Sequence, residues 1–263
     1  MKTTINNIEI NYNLSGNGKK TLVFIHGFPL SMEMWKEQEK YFSKNFQVLL
    51  YDIRGHGKSE CGNFQYSIEY FVDDLYSLLE FLKIENPILI GLSMGGYIAL
   101  RYIDKFLENV SAVVLCDTKS DSDTNEGKIN RSLNAKKILE EGTKNFSNEF
   151  VKNIFSKKTF ENNFEVVKSI QNIIETTSPL SISATLLALS GRINATEVLH
   201  KISIPTLILV GEDDIITPVS NAKLINEKIK NSELKIISIA GHMSNIENPK
   251  EFNFYLANFL KSL

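Results

Sequence analysis

Apolar positions along the chain fall into two alternating patterns. Short unbroken runs occur in "TLVFIHG" (21–27), "QVLLYDIRG" (47–55), "PILIG" (87–91), "SAVVLCD" (111–117) and "PTLILVG" (205–211), each ending in a polar residue or glycine. Continuous apolarity over so few residues predicts central parallel strands buried on both faces. "ELKIISIAGH" (233–242) reads as a last strand of the same kind. "EINYNLSG" (9–16) instead alternates, as expected of a half-exposed strand at an antiparallel edge.

Helical spacing fills the gaps between these runs. Residues 67–83 carry Ile68, Phe71, Val72, Leu75, Leu78, Leu79 and Leu82 on one face, with Ser67 as the expected N-cap. A second helix is expected from about Met94 to Lys105, and a third after Pro249, whose fixed φ suits a helix start. Strands alternating with helices imply right-handed crossovers and a mostly parallel sheet covered on both sides.

The alternation stops between about Lys119 and Lys201. That segment is rich in Asn, Lys and Glu, has no strong strand run, and shows four helical stretches, one starting at "SPLSISATLLAL" with Ser178 as cap and Pro179 in the first turn. The strand pattern then resumes at "ISIPTLILVGEDD". The expected organisation is one α/β domain, residues 1–118 and 201–263, interrupted by a helical insertion over 119–200.

Composition narrows the class. The 263 residues are 43% apolar and 23% charged, the balance of a folded globular chain. With 29 Lys and Arg against 31 Asp and Glu, the net charge of −2 gives no electrostatic reason to expect nucleic acid or an anionic membrane as partner. The polar N-terminus has no apolar signal core, and no run approaches the length of a membrane span, so a cytoplasmic location is expected. Cys61 and Cys116 read as free thiols. The four histidines, His26, His56, His200 and His242, are too scattered for a zinc site, so neither metal nor cofactor is expected.

Against this background one turn stands out. Gly91-Leu92-Ser93-Met94-Gly95 matches G-x-S-x-G between an expected buried strand and an expected helix. A turn that sharp exposes the serine hydroxyl above the sheet, and the glycines are required where strand and helix backbones pass too closely for a Cβ. Serine is a poor nucleophile without a base, and the base needs an orienting carboxylate. Of the histidines after Ser93, His200 reads as a surface residue, whereas His242 follows a strand and emerges at the sheet edge that carries Ser93. Three aspartates end strands at that edge: Asp117, Asp213 and Asp214; spacing does not choose among them. Backbone N–H donors for a developing oxyanion are expected from Met94, at the start of the helix, and from Phe28 in the loop after "TLVFI".

Taken together, "HGFPLSMEMW", "YDIRGHGKS", "GLSMGGYIAL", "LVGEDDIITP" and "GHMSNIENP" occur in the order and at the spacing of the α/β-hydrolase family, which the chain resembles over nearly its whole length. The resemblance implies a mostly parallel eight-stranded sheet flanked by helices, with residues 119–200 as an inserted helical cap. It also selects Asp214, three residues beyond Gly211, as the acid. The implied set is nucleophile Ser93, base His242, acid Asp214 and oxyanion donors Phe28 and Met94, while Arg54 and His56 of "YDIRGHGKS" are structural landmarks. The motifs are most similar to bacterial carboxylesterases and the 3-oxoadipate enol-lactonase-like branch. The expected partner is accordingly a small ester or lactone. Serine at the elbow argues against the dehalogenase and epoxide hydrolase chemistries, which use aspartate there. Thioester or carbon–carbon hydrolysis, acyl transfer and perhydrolysis remain rival uses of the same residues, and a binding protein without turnover remains a rival of another class.

Overall fold

A computed structural model describes residues 1–263. Eight strands form one sheet: β1 Lys2–Ile5, β2 Ile8–Ser15, β3 Thr21–Ile25, β4 Gln47–Tyr51, β5 Ile88–Leu92, β6 Ala112–Cys116, β7 Thr206–Gly211 and β8 Ser232–Ile237. Their spatial order is β1-β2-β4-β3-β5-β6-β7-β8. β1 and β2 form a hairpin, β2 pairs antiparallel with β4, and every later pairing is parallel. The unbroken apolar runs are explained by position: every residue of β5, β6 and β7 is buried. Helices cover both faces of such strands, so neither face has a polar stripe.

The two outer regions differ from the pattern reading. β2 is antiparallel, as its alternation implies, but β1 lies outside it and forms the edge. The hairpin turns at Asn6-Asn7, both at positive φ (49° and 62°), a conformation that asparagine tolerates in two-residue loops. At the other end, β8 is the opposite edge and not a strand buried on both faces. Only Ile237 of its six residues is buried, and Ile236 stays 40% exposed. Its apolar run covers one face of the sheet and leaves the other open.

Eleven helices complete the chain: α1 Lys36–Phe42, α2 Ile68–Leu82, α3 Met94–Phe106, α4 Asn125–Glu141, α5 Thr143–Ile154, α6 Lys157–Asn162, α7 Phe164–Thr176, α8 Pro179–Ser190, α9 Val219–Lys228, α10 Ser244–Glu247 and α11 Pro249–Ser262. Ser67 caps α2 by accepting from Tyr70 N–H (3.2 Å), and Pro249 opens α11. Ser178 makes no capping bond to α8, so only Pro179 of that expected start is realised. Between β6 and β7 lie five helices, α4 to α8, where the spacing indicates four; α6 has only six residues, too short for a periodic signal. No single helix is long and apolar enough to cross a membrane.

The insertion is closed at its neck by side chains. Asp123, before α4, meets Arg192, after α8, at 2.8 Å, with both side chains over 90% buried. Arg192 also donates to the carbonyl oxygens of Asp121 (2.8 Å) and Leu189 (3.1 Å), and its guanidinium lies 4.4 Å from the Tyr97 ring centre on α3. Arg131 of α4 pairs with the other oxygen of Asp123. Burial opposes ionisation of Asp123, but the two arginines outweigh it and hold its carboxyl below the usual range.

Candidate active site

Four parallel strand ends meet at one edge and bring distant residues together. The β3–β5 register pairs Ile25 with Gly91, so the loop after β3 runs beside the turn after β5. A Cβ built on Gly27 would stand 3.5 Å from the Ser93 Cβ. Phe28, the next residue, uses its backbone N–H for no hydrogen bond within the protein, and the Phe28–Pro29 peptide is cis.

Ser93 occupies the turn itself with φ 53° and ψ −112°, a strained backbone for a residue with a side chain. Two close approaches force the shape. A Cβ on Gly91 would sit 2.2 Å from the Gly95 carbonyl oxygen, and one on Gly95 would sit 2.1 Å from that of Ile25. Only glycine allows α3 to start so close to β3 and β5. The turn is held by Ser93 N–H donating to Cys116 O (2.9 Å) and by Thr118 Oγ1 donating to Ser93 O (2.8 Å). Met94 is the first residue of α3, where no acceptor exists within the helix and the dipole favours negative charge.

His242 lies in the loop after β8 and is buried. Its Nδ1–H donates to Asp214 Oδ2 at 2.8 Å, which leaves Nε2 as the basic nitrogen. Asp214 is saturated with donors: Oδ1 accepts from Ile216 N–H (2.8 Å) and Thr217 N–H (2.9 Å), and Oδ2 also accepts from Thr217 Oγ1 (2.7 Å). Burial works against its ionisation, yet His242 and the Thr217 donors prevail and hold the carboxyl below its ordinary value. Asp213, the neighbour in sequence, is exposed. Asp117 is buried and contacts Gly211 and Ser244, with no bond to His242. The pair formed is therefore His242 with Asp214. No hydrogen bond joins His242 to Ser93, an open arrangement common before substrate binds.

Three contributors escaped the pattern reading. Thr217 sits 3.2 Å from His242 Nδ1 and braces both members of the pair; the signal was present, since Asp-x-x-Thr is a side-chain-capped turn. Thr118 steadies the Ser93 turn from the next strand, a relation visible only once β5 and β6 are paired. His26 ties down the Phe28 loop: its Nδ1–H donates to Gly27 O (2.9 Å) and its Nε2 accepts from Ile53 N–H (3.0 Å). Arg54 instead makes a buried two-point ion pair with Asp74 (2.5 and 2.6 Å), away from Ser93, and His200 is exposed.

Above the Phe28 loop, the Phe146 and Phe150 rings of α5 pack edge-on against the Phe28 ring at 6.2 and 6.0 Å. They share with Phe28, Leu186, Asn130 and Arg131 a cleft of about 220 Å³ between insertion and core. A separate cleft of about 180 Å³ opens between α8, α3 and the start of α2, lined by Tyr97 and Arg192; neither cleft is lined by Ser93 or His242.

A strained serine at a strand-to-helix turn, with a histidine–carboxylate pair at the same sheet edge, is the arrangement of one class of proteins. A family model described as the alpha/beta hydrolase fold matches residues 20–249, and the chain belongs to that family. Within it, the chain is similar to a 3-oxoadipate enol-lactonase of Acinetobacter baylyi, 27% identical with 98% of this chain and 95% of the relative covered. It is also similar to a putative non-heme chloroperoxidase of Synechocystis, 31% identical over 97% and 95%. Among solved structures, a thermophilic esterase from Thermogutta terrifontis superposes with a TM-score of 0.95 at 31% identity, covering 100% of this chain and 98% of the other. The enol-lactonase from Burkholderia xenovorans gives 0.93 at 25% identity, over 99% and 100%.

Proposed function

We propose that the protein is a serine hydrolase of small carboxylic esters or lactones, with Ser93 as nucleophile, His242 as general base and Asp214 as orienting acid. The observation that carries this reading is the buried 2.8 Å bond from His242 Nδ1 to Asp214, at the sheet edge that also bears the strained Ser93. Names of relatives support the substrate class: esterase and enol-lactonase. His242 Nε2 takes the proton as the Ser93 hydroxyl attacks the carbonyl, and Asp214 stabilises the resulting imidazolium. The N–H groups of Phe28 and Met94 bind the tetrahedral oxyanion. The imidazolium then protonates the leaving oxygen, and His242 afterwards activates the water that releases the acid.

Residues 119–200 act in this reading as a cap on a core made of 1–118 and 201–263. The cleft beside Phe28 seats the acyl or alcohol portion, with Phe146 and Phe150 as its apolar wall.

The test is turnover of p-nitrophenyl acetate and butyrate with stoichiometric labelling by a fluorophosphonate. Ser93→Ala is expected to abolish labelling and lower kcat by about 10⁴-fold or more. Unchanged turnover in that variant overturns the reading. A thioester and a β-diketone in the same panel separate ester hydrolysis from its rivals.

A further inference from the structure

The end of β6 carries a second buried carboxyl group that the hydrolytic steps above do not use. Asp117 is fully buried and sits at φ 44°, a left-handed backbone that costs an ordinary side chain energy. Three bonds hold it there. Its N–H donates to Leu209 O on β7 (2.8 Å), its Oδ1 accepts from Gly211 N–H (2.8 Å), and its Oδ2 accepts from Ser244 Oγ–H. The two side-chain bonds reach toward different parts of the site, and the preceding residue reaches a third. Gly211 opens the turn that Asp214 N–H closes by donating back to Gly211 O (3.2 Å). Ser244, itself fully buried, is two residues past His242. Cys116, immediately before Asp117, accepts the Ser93 N–H.

We infer that Asp117 is a positioning residue for the reaction, acting through Gly211 and Ser244 to hold the Asp214 turn and the His242 loop in register with Ser93. This rests on the Ser93–His242–Asp214 reading above. The loops after β7 and β8 have no sheet pairing beyond Gly211 and Ile237, where the ladder ends. Past that point two backbone bonds, Glu212 N–H to Ile237 O (2.9 Å) and Asp213 N–H to Ala240 O (2.8 Å), still join the two loops, and side chains complete their placement. Glu247 binds Gly241 N–H (2.8 Å) and Ser156 N–H (2.9 Å), fixing the His242 loop to the insertion. Asp117 adds a side-chain tie from that loop, through Ser244, to the ends of β6 and β7.

The chemistry of the tie follows from its surroundings. Asp214 accepts four hydrogen bonds, one of them from His242, whereas Asp117 has no cationic partner. Burial, then the nearby Asp214 charge, push the Asp117 carboxyl well above the usual carboxylate range, with Glu247 adding to the effect. Two neighbouring buried carboxyls divide in this way into one charged and one neutral member. Both oxygens accept in this arrangement, Oδ1 from Gly211 N–H and Oδ2 from Ser244 Oγ–H. An uncharged amide keeps Oδ1 as the Gly211 acceptor, and its Nδ2–H can donate to Ser244 Oγ once that hydroxyl turns to accept.

The experiment compares Asp117→Asn, Asp117→Ala and Ser244→Ala in the full-length protein, reading kcat, KM and the pH profile on p-nitrophenyl butyrate below each variant's Tm. Asp117→Ala is expected to lower kcat by about 30- to 100-fold, as a displacement near 1 Å does, with KM changed less than about twofold. Asp117→Asn is expected to rescue kcat to within about threefold of the wild type and keep its pH profile, and Ser244→Ala to lose about tenfold. If Asp117→Asn is as damaging as Asp214→Asn, Asp117 is an ionised member of the site and the inference fails. It fails equally if Asp117→Ala keeps full kcat. Should Asp117→Ala not fold, an unchanged kcat in Ser244→Ala overturns it alone. Turnover surviving in Ser93→Ala marks instead the failure of the hydrolase reading on which it rests.

Discussion

The sheet edge and the helical insertion are built by different means. At the edge, Gly27, Ser93, Asp117 and Asp214 follow strands whose register is set by backbone ladders from Ile25↔Gly91 to Gly211↔Ile237. The insertion meets the core through side chains such as Phe146 and Phe150 on Phe28, Glu247 on Ser156 N–H, and Arg192, paired with Asp123, over the Tyr97 ring. A backbone ladder tolerates little displacement because every slip leaves buried N–H and C=O groups unpaired. Side-chain ties exchange residues more readily. The molecule thus keeps its candidate chemistry on the part that cannot shift, and leaves the wall of the cleft to the part that can vary.

The largest expected effect breaks the edge. Asp214→Asn removes the charge that selects the Nδ1–H tautomer of His242, and kcat should fall by about 10⁴-fold. Asp213→Asn, one residue away but exposed, should leave kcat within about twofold. Equal losses in steady-state assays of the two variants would put the register of the β7 turn in error.

The next effect falls on the insertion and on stability. Arg192→Met leaves Asp123 buried with Arg131 and the more distant Lys119 (3.7 Å), and unfolding should become easier by about 3 kcal/mol. Urea unfolding measures the loss, while kcat per folded molecule is expected to stay within about threefold. A collapse of kcat at full folding would mean that the neck shapes the edge as well.

Acid titration sharpens the contrast. Burial lowers the pKa of His26 to about 4 and that of His56 to about 3, and both rings belong to the core beneath the Phe28 loop. Between the unfolded value near 6.5 and the folded value, the unfolded chain binds a proton at each ring that the folded chain refuses. Stability therefore falls as pH drops from about 6.5 to about 4, by about 1.4 kcal/mol per pH unit for each ring. His56 Nε2 has no hydrogen-bond partner, so His56→Gln should cut the slope to about half, read as Tm against pH. The smallest effect belongs to the cleft wall: Phe150→Ala should raise KM for longer acyl chains by about tenfold and leave acetate turnover close to the wild type.

Legibility followed the same division. The strands β3 to β7, the glycines of the Ser93 turn and the helix starts at Ser67 and Pro249 carry local signals, because backbone geometry there tolerates few residue types. β1 is only four residues long, too short for periodicity, and α6 escaped for a similar reason. β8 misled because an apolar run reports burial without reporting how many neighbours a strand has. The insertion's helices show as composition, but their closure by Asp123 and Arg192 joins positions far apart in the chain, with no pattern around either.

What the chain's own pattern determined was the alternation of strands and helices, the turn that exposes Ser93, and the strand ends after which His242 and three aspartates stand. These are local consequences of residue volume, backbone freedom and periodicity. Spacing left the three aspartates open and the family resemblance picked Asp214, but only the tertiary structure supplies the physical difference between them. It gives Asp214 four donors, including His242, gives Asp117 two and no cation, and leaves Asp213 in solvent. All three look alike along the sequence, because the charge of a buried carboxyl depends on neighbours brought from other strands and not on the residues beside it.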